Sequence, residues 1–322
     1  MSQSIDSEAF DALVCGGGPA GLTSALWLGR YRRKTLVLDS GRQRNLATTR
    51  SHGYFTRDGA SPQDLLDAAA DELGRYDTVE LIRQTVDGIE RDGGMFLLHS
   101  ENRDIKACRV LLAMGVKDEF PQLPGFENLY GKSIFHCSCC DGYESSGRSV
   151  AAIGWDEHVA GFALDLLDWG ATVHLLTNGD EFRGDGNVRR ALDRHGIELI
   201  EDPVVECIAR EGALQGMRLA SGHVVECTRA FFSIGHKPQT DLARELGCDL
   251  DDAGYVITDE HGLTSVDGVY AAGDITPGEQ LIQTAAAEGA VAGIACAMSL
   301  RGEYPPPRLP VRGPDPVQEL DG

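Results

Sequence analysis

Three of the nine cysteines stand together in Cys137-Ser138-Cys139-Cys140. Two thiols separated by two residues at a helix start can close a small disulfide ring, and a helix N-terminus lowers the pKa of a thiol placed on it. The same spacing is half of a zinc site. Structural zinc takes four ligands, usually from a second pair, yet Cys15, Cys108, Cys207, Cys227, Cys248 and Cys296 are all single. The cluster therefore reads as a redox centre with no metal. The six single cysteines read as small buried hydrophobes in a reducing compartment.

The glycines suggest a second kind of chemistry. A short apolar strand, Asp11 to Cys15, runs into Gly16-Gly17-Gly18-Pro19-Ala20-Gly21. An apolar helix from Leu22 to Leu28 follows, then a strand from Thr35 to Leu38 that ends at Asp39. This is a complete βαβ unit with the dinucleotide-binding fingerprint. Gly16 permits the tight turn, Gly18 lets a pyrophosphate approach the backbone, and Gly21 lets helix and strand pack closely. The helix N-terminus faces the phosphates, and Asp39 stands where a carboxylate would accept from a ribose hydroxyl.

Further elements must position these groups. Val150 to Ile153, His158 to Leu167 and Thr172 to Leu176 form a second strand-helix-strand pattern. A strand from Arg229 to Ile234, another from Val269 to Ala272 and a small-residue helix from Thr284 to Leu300 come later. The prolines between Pro305 and Pro316 indicate an extended tail. The basic run Arg30, Arg32, Arg33, Lys34 follows a helix and reads as a solvated helix end whose cations complement the dipole, with a docking patch for an acidic partner as the alternative.

Length and composition bound the rest. At 322 residues the chain has room for about two domains of roughly 150 residues. No apolar run approaches the roughly 18 residues of a membrane span, and Met1 to Phe10 carry acids where a secretory leader is basic and then apolar, so a cytoplasmic protein is expected. Fifty acids against 29 bases give a net charge of -21. Such a surface repels phosphate backbones and anionic lipid, which makes nucleic acid and membranes poor partners.

The sequence resembles the low-molecular-weight thioredoxin reductase family along nearly its whole length. The likeness rests on ordered motifs: Gly16 to Gly21, Leu112-Ala113-Met114-Gly115, Cys137-x-x-Cys140-Asp141-Gly142, Ile234-Gly235-His236-Lys237-Pro238, and Thr264 to Asp274. It implies an α/β fold of two Rossmann-like three-layer dinucleotide-binding domains, the second inserted into the first. An FAD-binding domain would comprise residues 1–116 and 241–322, and an inserted NAD(P)-type domain, residues 117–240, would carry the redox pair. FAD would touch Gly16, Gly18, Pro19, Ala20, Asp39, Ser40, Val86, Gly115, Gly273 and Asp274. A homodimer is implied as well.

The sequence is also similar to a branch that includes dithiol oxidases of gliotoxin-type and holomycin-type disulfide natural products. The shared features are Asp39-Ser40-Gly41-x-x-Arg44-Asn45, His52, Asp58-Gly59-x-x-Pro62-x-x-Leu65-Leu66, and the pattern from Cys137 to Glu144. They make Arg44, Asn45 and His52 candidate flavin neighbours, with an uninvolved surface residue as the other reading of His52. By the same mapping Cys137 and Cys140 form the disulfide, Cys140 lies nearest the flavin, and Cys137 meets the partner dithiol or disulfide. Vicinal pairing of Cys139 with Cys140 would give a strained ring and exclude Cys137. Asp141 would donate or accept a proton, and His136 would either pack or stabilise a thiolate as imidazolium.

The chain departs from the family pattern where a nicotinamide coenzyme should bind. Only Gly154 survives of a Gly-x-Gly-x-x-Ala turn in Gly154-Trp155-Asp156-Glu157-His158-Val159. Asp156 stands where pyrophosphate must approach, and its carboxylate repels phosphate. In the following strand-end segment, Thr177-Asn178-Gly179-Asp180-Glu181-Phe182-Arg183, only Arg183 is left of the cations that would grip a 2′-phosphate. The expected activity is thus flavin-dependent disulfide/dithiol exchange without NAD(P)H. Its partners would be a small-molecule or protein dithiol or disulfide, with oxygen or a one-electron carrier such as ferredoxin on the other side. The alternatives are an NADPH-dependent thioredoxin-disulfide reductase with a divergent site and a non-catalytic flavin-bound scaffold.

Overall fold

Apolar strands and glycine turns alternate much as the sequence suggests. The computed structural model describes residues 9–100 and 103–301, so the proline-rich stretch from Pro305 to Pro316 and residues 1–8 lie outside the described residues. β1 (Phe10–Cys15) leads through the glycine turn into α1 (Pro19–Arg30) and β2 (Thr35–Asp39). Then come α2 (Pro62–Leu73), β3 (Val79–Arg83), β4 (Gly88–Asp92), β5 (Met95–Ser100), β6 (Arg103–Leu112) and β7 (Val116–Asp118). The middle of the chain holds β8 (Ile134–Phe135), the single turn α3 (Ser138–Asp141), β9 (Ser149–Ile153), α4 (Glu157–Asp165), β10 (Thr172–Leu176), α5 (Gly186–Arg194) and β11 (Glu198–Ile200). Next are β12 (Val204–Arg210), β13 (Ala213–Leu219), β14 (Val224–Val225), β15 (Arg229–Phe232) and β16 (His236–Pro238). The described chain closes with α6 (Asp241–Leu246), β17 (Val269–Ala271) and α7 (Ile282–Ser299).

The first sheet has the order β3-β2-β1-β6-β5-β4, with β17 also paired to β6. β6 is long enough to hold two neighbours on one edge, β5 antiparallel over Arg103 to Ala107 and β17 parallel over Val110 to Leu112. The second sheet, β11-β10-β9-β15-β8, is parallel throughout. The central strands of both sheets are buried on two faces, and the period-2 alternation of strand side chains shows it. In β1, Ala12 and Val14 face the α1–α7 side while Leu13 and Cys15 face the opposite core. In β9, Val150 and Ala152 pack toward α4 while Ala151 and Ile153 pack toward β12–β14.

α1 and α7 approach closely because their facing residues are small. A Cβ on Gly289 would lie 2.2 Å from the Ala20 carbonyl oxygen, and Ser24 Oγ reaches the Gly289 carbonyl at 2.9 Å. The basic run after α1 is not uniformly solvated. Arg33 is buried, and its Nε and Nη2 donate to the Ala297 carbonyl at 3.1 and 2.9 Å, where α7 leaves carbonyls without helical partners. The two chain crossings between the sheets pair with each other, β7 antiparallel to β16. Among the described residues no helix is long and apolar enough to cross a membrane.

Candidate redox and cofactor site

The glycine turn sits at the carboxyl end of β1, where open α/β sheets bind ligands. Gly16 has φ +113°, and a Cβ there would come within 2.3 Å of the Ala113 carbonyl oxygen. Gly18 is the N-cap of α1, with no side-chain cap and no acid in the first turn. A Cβ on Gly18 would meet nothing within 4 Å, so a ligand can come up to the backbone. Pro19 occupies the first helical turn, where a missing N–H costs nothing. Ala20 lies under the distant Gly273, whose Cβ would meet that of Ala20 at 2.7 Å. Gly273-Asp274 and the glycine turn thus share one crevice, although some 250 residues separate them.

Asp39 ends β2 and is already well supplied with donors. Its carboxylate accepts from Gly41 N–H at 2.9 Å, Gln43 Nε2 at 2.8 Å and Arg83 Nη1 at 2.7 Å. A carboxylate has about four acceptor positions, so one remains for a ribose hydroxyl. Two polar atoms beside it are buried without a partner, Gln43 Oε1 and Gln84 Nε2. Gln84 also donates its backbone N–H to the Asp39 carbonyl at 2.9 Å. Buried polar atoms of this kind ordinarily have a partner, and a polar ligand in the crevice would supply it. The open glycine, the uncapped helix and these orphaned amides fit a dinucleotide. Val86 packs against the adjacent core, while Ser40 follows Asp39 and Gly115 follows β6 at the crevice margin.

Cys137 and Cys140 are joined as a disulfide with Cα atoms 5.3 Å apart, and Cys139 is an exposed free thiol. The turn between them is α3, in which Cys140 N–H donates to Cys137 Sγ at 3.1 Å. Gly142 fixes the exit, because a Cβ there would strike the Trp169 ring at 2.6 Å. Burial pushes the Asp141 carboxyl up to about 7, with Glu144 adding to the rise and His52 and Arg229 opposing it. A carboxyl poised there can hold or release a proton near neutral pH. Burial takes His136 the other way, down to about 4, with Arg44 adding to the fall. It is therefore a neutral packing histidine, its Nδ1 3.2 Å from the Tyr130 hydroxyl.

Arg44 lies in a one-turn 3-10 helix after β2 and joins three distant segments. Its Nε is 2.8 Å from Asp118 Oδ2 in β7, and its Nη1 donates to Gln280 Oε1 at 2.6 Å and stands 3.6 Å from Asp274 Oδ2. Gln280 continues to His236 at 2.7 Å and to the Tyr255 hydroxyl at 3.1 Å, and His236 also bonds that hydroxyl. Asn45, in the same turn, contributes its carbonyl to Thr48 N–H. His52 reaches the redox turn, with Nδ1 3.5 Å from Glu144 Oε1. Sequence reasoning missed Arg83, Asp118, Gln280, Tyr130 and Glu144 as site residues. Only Glu144 carried a signal, through its place in the Cys137-to-Glu144 pattern.

The second nucleotide-type turn is built differently. Asp156 is the N-cap of α4, and its Oδ1 accepts from His158 N–H at 3.1 Å and Val159 N–H at 3.2 Å. Those are the donors a diphosphate would need. Gly154 has a packing reason to be glycine, since a Cβ would sit 2.6 Å from the Ser233 carbonyl oxygen. Asn178 uses its Oδ1 to accept from Val204 N–H at 2.9 Å, and Arg183 is exposed.

One mixed and one parallel α/β sheet, a phosphate-type glycine turn and a bridged Cys-x-x-Cys beside a raised carboxyl define a disulfide oxidoreductase on dinucleotide-binding folds. The chain belongs to the pyridine nucleotide-disulphide oxidoreductase family, whose pattern matches residues 10–289. It is 33% identical over 281 residues to "Thioredoxin reductase aclD" of Aspergillus oryzae, covering 82% of this chain and 88% of that one. Among solved structures, that of HlmI aligns with TM-score 0.86 at 33% identity, over 91% of this chain and 92% of that chain. The structure of TrxB from Bacillus anthracis gives TM-score 0.86 at 31% identity, over 91% of this chain and 99% of that chain. The protein is a thioredoxin reductase-like oxidoreductase that acts on disulfides, built on the two-domain Rossmann-like fold of these neighbours.

Proposed function

We propose that this chain is an FAD-dependent dithiol–disulfide oxidoreductase that exchanges electrons with a small or protein dithiol through Cys137 and Cys140 and does not use NAD(P)H. The observation that carries this reading is the Asp156 carboxylate on the amides that open α4. The division into residues 1–116 plus 241–322 and residues 117–240 belongs to the same proposal, with β7 and β16 at the crossings.

Gly16, Gly18, Pro19 and Ala20 would hold the FAD diphosphate on α1, Asp39 the adenosine ribose, and Asp274 the opposite side of the crevice. Bound FAD supplies the two-electron acceptor that restores the disulfide, with oxygen or a carrier such as ferredoxin as final partner. The protein side of the exchange follows from the thiols. A substrate thiol gives its proton to the Asp141 carboxylate as its sulfur bonds to Cys137 Sγ, and the Cys137–Cys140 bond breaks with its electron pair leaving on Cys140. The second substrate thiol then attacks its own mixed disulfide at the substrate sulfur, and Cys137 departs with the electron pair of that bond and takes up the second thiol's proton. The substrate leaves as a disulfide, and two electrons stay on the cysteine pair. The sulfur spacing, the bridge and the raised Asp141 carboxyl support this sequence.

The names of the relatives favour a second reading, NADPH-dependent reduction of a thioredoxin-type disulfide. Anaerobic flavin bleaching separates the two. On the first reading a dithiol bleaches the flavin quickly and NADPH or NADH leaves it oxidised. Full bleaching by micromolar NADPH within a second would establish the second reading.

A further inference from the structure

The loop that follows β2 crosses to the redox turn and is built to stay there. Its base is closed by the Ser51–Ala60 bridge, and Gly53 N–H donates to Asp58 Oδ1 at 2.8 Å. Within it His52 Nδ1 lies 3.6 Å from Asp58 Oδ1 and 3.5 Å from Glu144 Oε1, with its side chain largely covered. The Asp141 carboxyl is faced by charged or titratable groups from four directions: His52 on this loop, Glu144 on its own turn, Arg229 on β15 and Tyr130 ahead of β8. His52 and Glu144 are thus in contact with each other, and both act on Asp141.

We propose that His52 is a positioning residue of the redox centre: it clasps the 51–60 loop to the Cys137–Glu144 turn through Glu144, and its charge governs when Asp141 can accept the proton of an incoming thiol. This inference rests on the thiol exchange proposed above. In that step the substrate S–H proton passes to Asp141 as sulfur bonds to Cys137 and Cys140 leaves as thiolate, so an already protonated Asp141 accepts nothing. Protonated His52 opposes proton uptake by Asp141, and ionised Glu144 favours it. The pair therefore trims the carboxyl in opposite directions from a single contact.

The test follows reduction of the Cys137–Cys140 disulfide in the holoprotein by dithiothreitol between pH 5 and 9. Reactions are quenched and the freed thiols counted by alkylation and mass, a readout independent of flavin turnover. Wild type should level off above an acid limb set by Asp141, whereas Asp141→Asn should lose that plateau and follow the dithiothreitol thiolate through the whole range. His52→Asn should move that limb to higher pH by about half a unit or more, Glu144→Gln should move it lower, and His52→Lys should return it toward wild type. A merely structural role would slow every variant without moving the limb, or move it in one direction. If His52→Asn and Glu144→Gln both leave the limb where wild type has it, or shift it the same way, the proposal is overturned. A wild-type profile with no limb dependent on Asp141 would instead overturn the underlying role of Asp141, and this inference with it.

Discussion

Replacing Asp156 with glycine should turn the second nucleotide-type turn into one that takes a dinucleotide. In wild type, Asp156 Oδ1 stands 3.1 and 3.2 Å from the His158 and Val159 amide nitrogens, the place a coenzyme phosphate oxygen would occupy. A phosphate seated there must first break the cap, which costs about 1 kcal/mol. It then stands near a displaced carboxylate. At about 4 Å and an effective dielectric near 20, one pair of like charges costs about 4 kcal/mol. Asp156 is half-buried, and salt with a Debye length of about 8 Å lowers that to roughly 2 kcal/mol. The sum of about 3 kcal/mol corresponds to roughly a hundredfold in affinity. Glycine removes both costs and, as an N-cap, weakens the helix by only a few tenths of a kcal/mol. Asp156→Asn removes the charge but keeps the cap, so only about thirtyfold should be regained. Calorimetric titration with ADP-ribose, which carries the diphosphate without the nicotinamide, reads these values directly. Equal binding by wild type, Asp156→Asn and Asp156→Gly would refute the reasoning.

Other expectations follow from the same contacts. Burial pushes the Asp141 carboxyl up to about 7, so folding takes up a proton there and wild-type stability falls as pH rises from about 4 through about 7. Asp141→Asn should accordingly raise the melting temperature by a few degrees at pH 8 and by less at pH 5, and scanning calorimetry at the two pH values checks this. Arg44→Ala strands the buried Asp118 carboxylate and should cost about 3–5 kcal/mol in urea unfolding, while the double change Arg44→Met with Asp118→Leu should recover much of that loss. Gly289→Ala drives a methyl toward the Ala20 carbonyl and should cost about 1–3 kcal/mol, with weaker flavin retention on gel filtration because Ala20 lines the glycine turn. Cys139→Ser should leave the Cys137–Cys140 bridge and the rate of dithiol reduction unchanged, since Cys139 is a free exposed thiol.

The elements around the first glycine turn were legible because each carries a local signal. Glycines, a following proline and period-2 apolar runs mark β1, α1 and β2, although α1 begins at Pro19, not Leu22, since Gly18 is its extended cap. The helix expected from His158 to Leu167 starts one residue earlier, because Asp156 caps it, and relaxes into a 3-10 turn over Leu166 to Asp168. β15 stops at Phe232, two residues short of the expected end. The β4–β5 hairpin and the small β12–β14 sheet were not read, although Gly93, Gly212 and Gly222 mark their turns at positive φ, because their strands mix polar and apolar residues without clean alternation.

The site was legible only where chemistry is local in sequence. The cysteine spacing, Asp141, the fingerprint glycines and the acid at Asp156 could all be read from neighbours within a few residues. Arg44 meets Asp118 across 74 positions, and Arg33 meets Ala297 across 264. Nothing in either segment's own pattern announces such a partner, and a basic run after a helix looks solvated until its long-range acceptor is seen. His52 is the intermediate case: motif likeness marked the residue, but its contact with Glu144 needs the folded loop.

The most direct measurement is a crystal of the wild-type holoprotein soaked in NADPH at millimolar concentration and examined at the start of α4. Asp156 should still be bonded to the His158 and Val159 amides, with no coenzyme density there. A coenzyme diphosphate resting on those two amides, with Asp156 swung aside next to Trp155, would contradict it.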